Sequence, residues 1–186
     1  MAGQAKVLSS QEIQAVFKLL DSARDRALFA LGLYTGLRIS EIIALKQDQL
    51  FTEDGGIRYK LVVKRLKKKN TVYSNIPIHS KLRQILDEYK KELGPSDFLF
   101  PSRSSTKGHM CRAQAHNVLT EAYKTLRLEG AKTHSMRKTC LTNMSRAGVP
   151  LRTVQEISGH ANLGQLQTYL EVDPEDTHRA INTLKY

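Results

Sequence analysis

Three short segments carry residue types suited to an anionic substrate. They are Thr35-Gly36-Leu37-Arg38-Ile39-Ser40-Glu41, His134-Ser135-Met136-Arg137 and Ser158-Gly159-His160. Tyr169 follows His160 by nine residues, and a basic run, Lys64 to Lys69, lies between the first two segments. Arginine presents a planar fork that matches phosphate oxygens, and fixed cations lower the barrier when attack builds charge on those oxygens. A phenolic oxygen is a nucleophile, and lysine or histidine can move the accompanying proton. Each residue also has an ordinary alternative. Arg38 can cap a helix. His134 and Arg137, three apart, can form a solvated basic helix face. His160 can be a satisfied core histidine. Tyr169, between Leu166 and Leu170, can be a core tyrosine.

Taken together, the segments resemble the signature of the tyrosine recombinase, or phage integrase, family. That pattern is an arginine in a Gly-Leu-Arg-x-x-Glu turn, a hairpin lysine, a His-x-x-Arg, a Gly-His, and a tyrosine nine residues later. Every element is present in order, and the resemblance runs from about Leu8 onward. It implies a catalytic set of Arg38, Lys67, His134, Arg137, His160 and Tyr169. Arg38 and Arg137 would clamp a scissile phosphate, and Tyr169 would attack it. Lys67, with Lys69 as the alternative, would protonate the leaving 5′-hydroxyl. The two histidines would bond the phosphate or manage the tyrosine proton. Glu41 would orient Arg38. The remaining basic residues of the hairpin, Arg58, Lys60, Lys64, Arg65, Lys68 and Lys69, would form a DNA-backbone patch. The product would be a 3′-phosphotyrosine, reversed by a second 5′-hydroxyl, with no metal, ATP or other cofactor. The implied activity is site-specific DNA recombination: integration, excision or resolution of replicon dimers. A non-catalytic DNA-binding protein of the same fold and a type IB topoisomerase are the competing readings. The implied partners are double-stranded DNA and further copies of the chain, as a tetramer.

Positioning such a set requires several elements. Ser9 and Glu12 form a capping-box pattern ahead of Ile13, Val16, Phe17 and Leu20, which predicts an amphipathic helix. Arg24 to Thr35 is nearly all apolar after Arg26, so a buried helix is expected, ended by Gly36. Ile39 to Lys46 reads as a short third helix. Ile57–Val63 and Thr71–Pro77 are rich in β-branched and aromatic residues around Lys67-Lys68-Lys69-Asn70, which predicts a hairpin near 57–78. Helical spacing returns over Ser80–Leu93, Arg112–Leu128, His134–Ala147, Leu151–Ser158 and Pro174–Leu184. The expected class is α+β, mainly α: a helical bundle with one small antiparallel sheet. Residues 1–8 are expected to be a disordered lead, 9–172 the catalytic domain, and 173–186 a C-terminal helix or tail that packs in cis or on a neighbouring protomer.

The 186 residues suffice for one domain with a real core. Lys and Arg number 29 against 18 Asp and Glu, a net charge of +11 that predicts attraction to a polyanion, most commonly nucleic acid. Two cysteines, Cys111 and Cys140, indicate no disulfide scaffold and fit a reducing cytosol. Ala27–Tyr34, the longest apolar stretch, falls short of the ~20 residues that span a bilayer, and a cytoplasmic protein is expected. Two departures from the family stand out. Most of its members carry a separate helical DNA-binding domain ahead of the catalytic one, which here is preceded by about eight residues. The chain is therefore expected to be a fragment or a minimal form, with weak, salt-sensitive DNA affinity. Ser158 replaces a commoner leucine, and Lys138 follows Arg137; neither is expected to touch a site residue.

Overall fold

The computed structural model describes residues 4–66, 71–102, 108–167 and 181–182, with only the backbone of 65, 66, 71 and 72. The architecture is mainly helical, with a two-stranded antiparallel sheet. Helix α1 (Ser10–Leu19) starts at the expected capping box: Ser9 Oγ accepts from the Glu12 amide at 3.2 Å, and Glu12 accepts from the Ser9 amide at 2.9 Å. Helix α2 (Ala23–Thr35) is buried on every side from Ala27 to Gly32, as befits a helix apolar all round. It is the axis of the fold, packed on α3 (Ile39–Ile43), α4 (Ser80–Lys90), α5 (Arg112–Thr125) and α6 (Ser135–Arg146). Gly36 ends it in the left-handed region at φ 62°. Gly32 lets α6 approach: a Cβ there would lie 2.6 Å from Met136 Sδ.

The third helix stops at Ile43, earlier than the expected Lys46, and a 3₁₀ turn follows over Gln47–Gln49. The hairpin pairs β1 (Lys60–Leu66) with β2 (Thr71–Pro77), in register from Lys60 opposite Pro77 to Leu66 opposite Thr71. Its first strand begins three residues later than the sequence suggests, because Ile57 bridges Phe51 outside the hairpin. Alternation sends Leu61, Val63 and Ile76 into the core and leaves Lys60 and Lys64 exposed. A smaller apolar cluster, Leu141, Val154 and Leu166, joins α6 to α7 (Leu151–Ser158) and α8 (Leu163–Gln167). The last of these helices was not expected from the sequence. Of the helix expected over 174–184, Ile181 and Asn182 are helical, and the rest lies outside the described residues.

Of the lead expected to be disordered, residues 4–8 are described. Leu8 is buried and donates its amide to Thr139 Oγ1 at 2.8 Å, and Lys138 Nζ reaches Gln4 Oε1 at 3.0 Å. No helix among the described residues is long and apolar enough to cross a membrane.

Candidate active site

The turn after α2 delivers the first arginine. Thr35 Oγ1 accepts the Leu37 amide across Gly36 at 3.3 Å, which shapes the reversal. Arg38 then stands extended at the head of α3. Glu41 holds it twice, accepting from its amide at 2.7 Å and from its Nη1 at 3.4 Å. The side chain nevertheless keeps 41% of its surface in solvent.

Arg137, in the first turn of α6, is almost fully buried at 2% exposure. Such burial is rare for arginine and calls for partners. Its Nη1 donates to the Gly36 carbonyl at 2.5 Å, across 101 residues of chain. Its Nη2 donates to the Ser158 carbonyl at 2.9 Å and to His160 Nε2 at 3.2 Å. One guanidinium thus ties the Arg38 turn to the end of α7. Gly159, left-handed at φ 68°, reverses the chain there. His160 is buried, and the Gln155 side-chain Nε2 donates to its carbonyl at 3.2 Å.

His134 sits exposed just before α6. Its proton affinity is pushed below the ordinary histidine range, first by partial desolvation, then by the charges of Arg137, Arg38 and Arg112. The structure therefore brings Arg38, His134, Arg137 and His160 together. A groove between β2 and α7, lined by Tyr73, Asn75, Gln155 and His160 among others, sets the hairpin beside the same centre. Lys60 and Lys64 lie exposed on β1. Arg58 is exposed too, with its Nε bonded to the Asp48 carbonyl at 2.7 Å. Lys67, Lys68, Lys69, the Arg65 side chain and Tyr169 fall outside the described residues. Among the described residues, no group of three His, Cys, Asp or Glu side chains gathers as a metal site would require.

Two residues escaped the sequence reading. Arg112, at the start of α5, adds a cation near His134 that no motif offset announces. Ser158 was expected to touch no site residue, and this is corrected: its Oγ lies 2.8 Å from His160 Nδ1. The signal available was its place two residues before His160, across a glycine that reverses the chain.

Solved structures share this arrangement of elements. The crystal structure of XerA recombinase matches with a TM-score of 0.78 over 99% of this chain and 67% of that one, at 19% identity. XerH site-specific recombinase bound to difH substrate, in a pre-cleavage complex, matches with a TM-score of 0.72 over 97% of this chain and 55% of that one, at 22% identity. The fold is that of a tyrosine recombinase catalytic domain. The phage integrase family model matches residues 6–176, and the chain belongs to that family. Among curated relatives, "Tyrosine recombinase XerC-like" of Caldanaerobacter subterraneus subsp. tengcongensis is 28% identical, aligned over 97% of this chain and 54% of that protein. "Probable integrase/recombinase YoeC" of Bacillus subtilis (strain 168) is 30% identical, over 94% of this chain and 92% of that protein. The chain thus spans about half the length of the first of these relatives.

Proposed function

We propose that the chain is the catalytic domain of a site-specific recombinase that cuts and rejoins double-stranded DNA through a 3′-phosphotyrosine. The observation that carries this reading is the bonding of buried Arg137 to both the Arg38 turn and the Ser158–His160 turn. Arg38 and Arg137 clamp the scissile phosphate, offsetting charge that grows on its oxygens. The Tyr169 phenolic oxygen attacks phosphorus, and the 5′-oxygen departs with a proton from Lys67. A second 5′-hydroxyl then displaces the tyrosine, so the bond energy is retained. His134 and His160 bond the phosphate or carry the tyrosine proton. Arg58, Lys60, Lys64, Arg65, Lys68 and Lys69 hold the DNA backbone. The unit comprises residues 9–172, with 173–186 as a tail packing in cis or on a neighbour. It works as a tetramer on DNA, in the cytoplasm.

The test is covalent capture. Nicked duplexes made from pooled host genomic fragments are incubated with the protein and denatured in SDS. The wild type retains DNA, which also reports the target sequence, while Tyr169→Phe and Arg38→Ala retain none. Equal retention by wild type and Tyr169→Phe refutes the tyrosine mechanism. Salt-sensitive binding without any adduct favours a DNA-binding protein that lacks the chemistry.

A further inference from the structure

We infer that Ser158 is a positioning residue that sets the tautomer of His160, so that the imidazole meets the phosphate clamp with a bare Nε2. This rests on the reading of His160 as a group at the scissile phosphate.

Arg137 is the one group here whose protonation is fixed. A guanidinium only donates and does not lose its proton in proteins. Arg137 Nη2 carries two N–H bonds and faces two acceptors, the Ser158 carbonyl at 2.9 Å and His160 Nε2 at 3.2 Å. In neutral imidazole one ring nitrogen donates and the other accepts. Facing a donor, Nε2 accepts, and the ring proton therefore resides on Nδ1. Nδ1 lies 2.8 Å from Ser158 Oγ, which must accept. The Ser158 hydroxyl then needs an outlet for its own hydrogen, and it has one in the Gln155 carbonyl at 3.2 Å. The reverse tautomer would set two donors against each other at Nε2.

From Arg137 Nη2 at one end to the Gln155 carbonyl at the other, each donor along this relay thus meets an acceptor. Ser158 itself is fully buried, so water does not substitute readily for its hydroxyl. The helix end supplies the geometry. Gly159, at φ 68°, turns the chain so that residues two apart bring a hydroxyl and a ring together. Gln155 closes the loop, accepting from Ser158 and donating to the His160 carbonyl at 3.2 Å. Alanine or leucine at 158 would leave Nδ1–H without this acceptor. The carbonyl bond to Arg137 would survive, since it belongs to the backbone. The effect of substitution is therefore confined to the side-chain link.

The direct test is NMR on protein labelled with ¹⁵N-histidine, the His160 signals being assigned by their loss in His160→Gln. Wild type is expected to show Nδ1 protonated and Nε2 bare, and Ser158→Thr to keep that pattern. Ser158→Ala is expected to show a mixture of tautomers. Its single-turnover adduct formation falls roughly fivefold, the worth of one neutral hydrogen bond, with the dissociation constant for DNA unchanged. Protonated Nε2 in the wild type overturns the proposal. So does a slower Ser158→Ala enzyme whose tautomer is unaltered, since that marks a packing role only. The spectrum needs no activity, so absence of any wild-type adduct would count against the recombinase reading and leave the tautomer result standing.

Discussion

Arg38 and Arg137 are assigned one chemical task, but the structure gives them opposite structural weight, and alanine substitution separates the two. Arg137 is 2% exposed and supplies hydrogen bonds to the carbonyls of Gly36 and Ser158, both themselves buried. Removing its side chain strands two buried acceptors, each at about 1–3 kcal/mol. The sum is roughly 2–6 kcal/mol, against a typical domain stability of about 5–15 kcal/mol. Relief of the desolvation of a buried cation trims this figure, so about 3 kcal/mol is the working value. For a chain of this size each kcal/mol lowers the midpoint by roughly 2–4 °C, so Arg137→Ala should melt roughly 6–12 °C below wild type.

Arg38 keeps 41% of its side-chain surface exposed and makes one long ion pair with Glu41 at 3.4 Å. Such a pair contributes about 0–1 kcal/mol, and the Arg38 amide bond to Glu41 survives truncation. Arg38→Ala should therefore melt within about 4 °C of wild type. Both variants should lose the SDS-stable DNA adduct. Calorimetry or circular dichroism melts at equal protein concentration give the comparison. Two alanine variants melting within a degree or two of each other would refute the reasoning, since it requires Arg137 alone to hold the site together.

Other expectations follow from the same packing. Gly32→Ala pushes a methyl into Met136 on α6, next to Arg137, and should destabilise the fold by about 1–3 kcal/mol in chemical denaturation. Cys140 is buried, which pushes its thiol up to about 12 against a smaller opposing pull from Arg137, whereas Cys111 is exposed. A thiol reagent at neutral pH should label Cys111 in the native protein and reach Cys140 only on unfolding, as peptide mapping would show. His134 should titrate below ordinary histidine in NMR, and Arg112→Gln should move its midpoint upward. Because its folded-state proton affinity is lowered, its stabilising contribution is full above the ordinary histidine range and is lost as pH falls below it. DNA affinity should weaken steeply between 50 and 200 mM salt, in filter binding, in proportion to the phosphates that lysine and arginine contact.

What the sequence made legible was local or came as an ordered set. The Ser9–Glu12 box and the left-handed Gly36 lie within one helical turn of the groups they serve, so spacing reveals them. The end of α3 and the start of β1 are not legible locally because their partners lie elsewhere: Leu45 turns to accept the Leu99 amide, and Ile57 bridges Phe51. Arg112 reaches His134 only through the packing of α5 beside α6. The motif offsets themselves have a physical source in Arg137. Its guanidinium grips the carbonyl of Gly36, two residues before Arg38, and that of Ser158, two residues before His160. In both places a left-handed glycine shapes the turn, ending α2 at Gly36 and α7 at Gly159. Arg137 therefore does for the backbone what an apolar core residue cannot, holding two helix ends by their carbonyls while its charge stays next to the side chains those ends deliver. On this argument the glycine-anchored spacing is a packing constraint as well as a chemical one. Inserting one residue between Gly36 and Arg38, or between Gly159 and His160, should abolish adduct formation even if Arg137 remains buried and the fold survives.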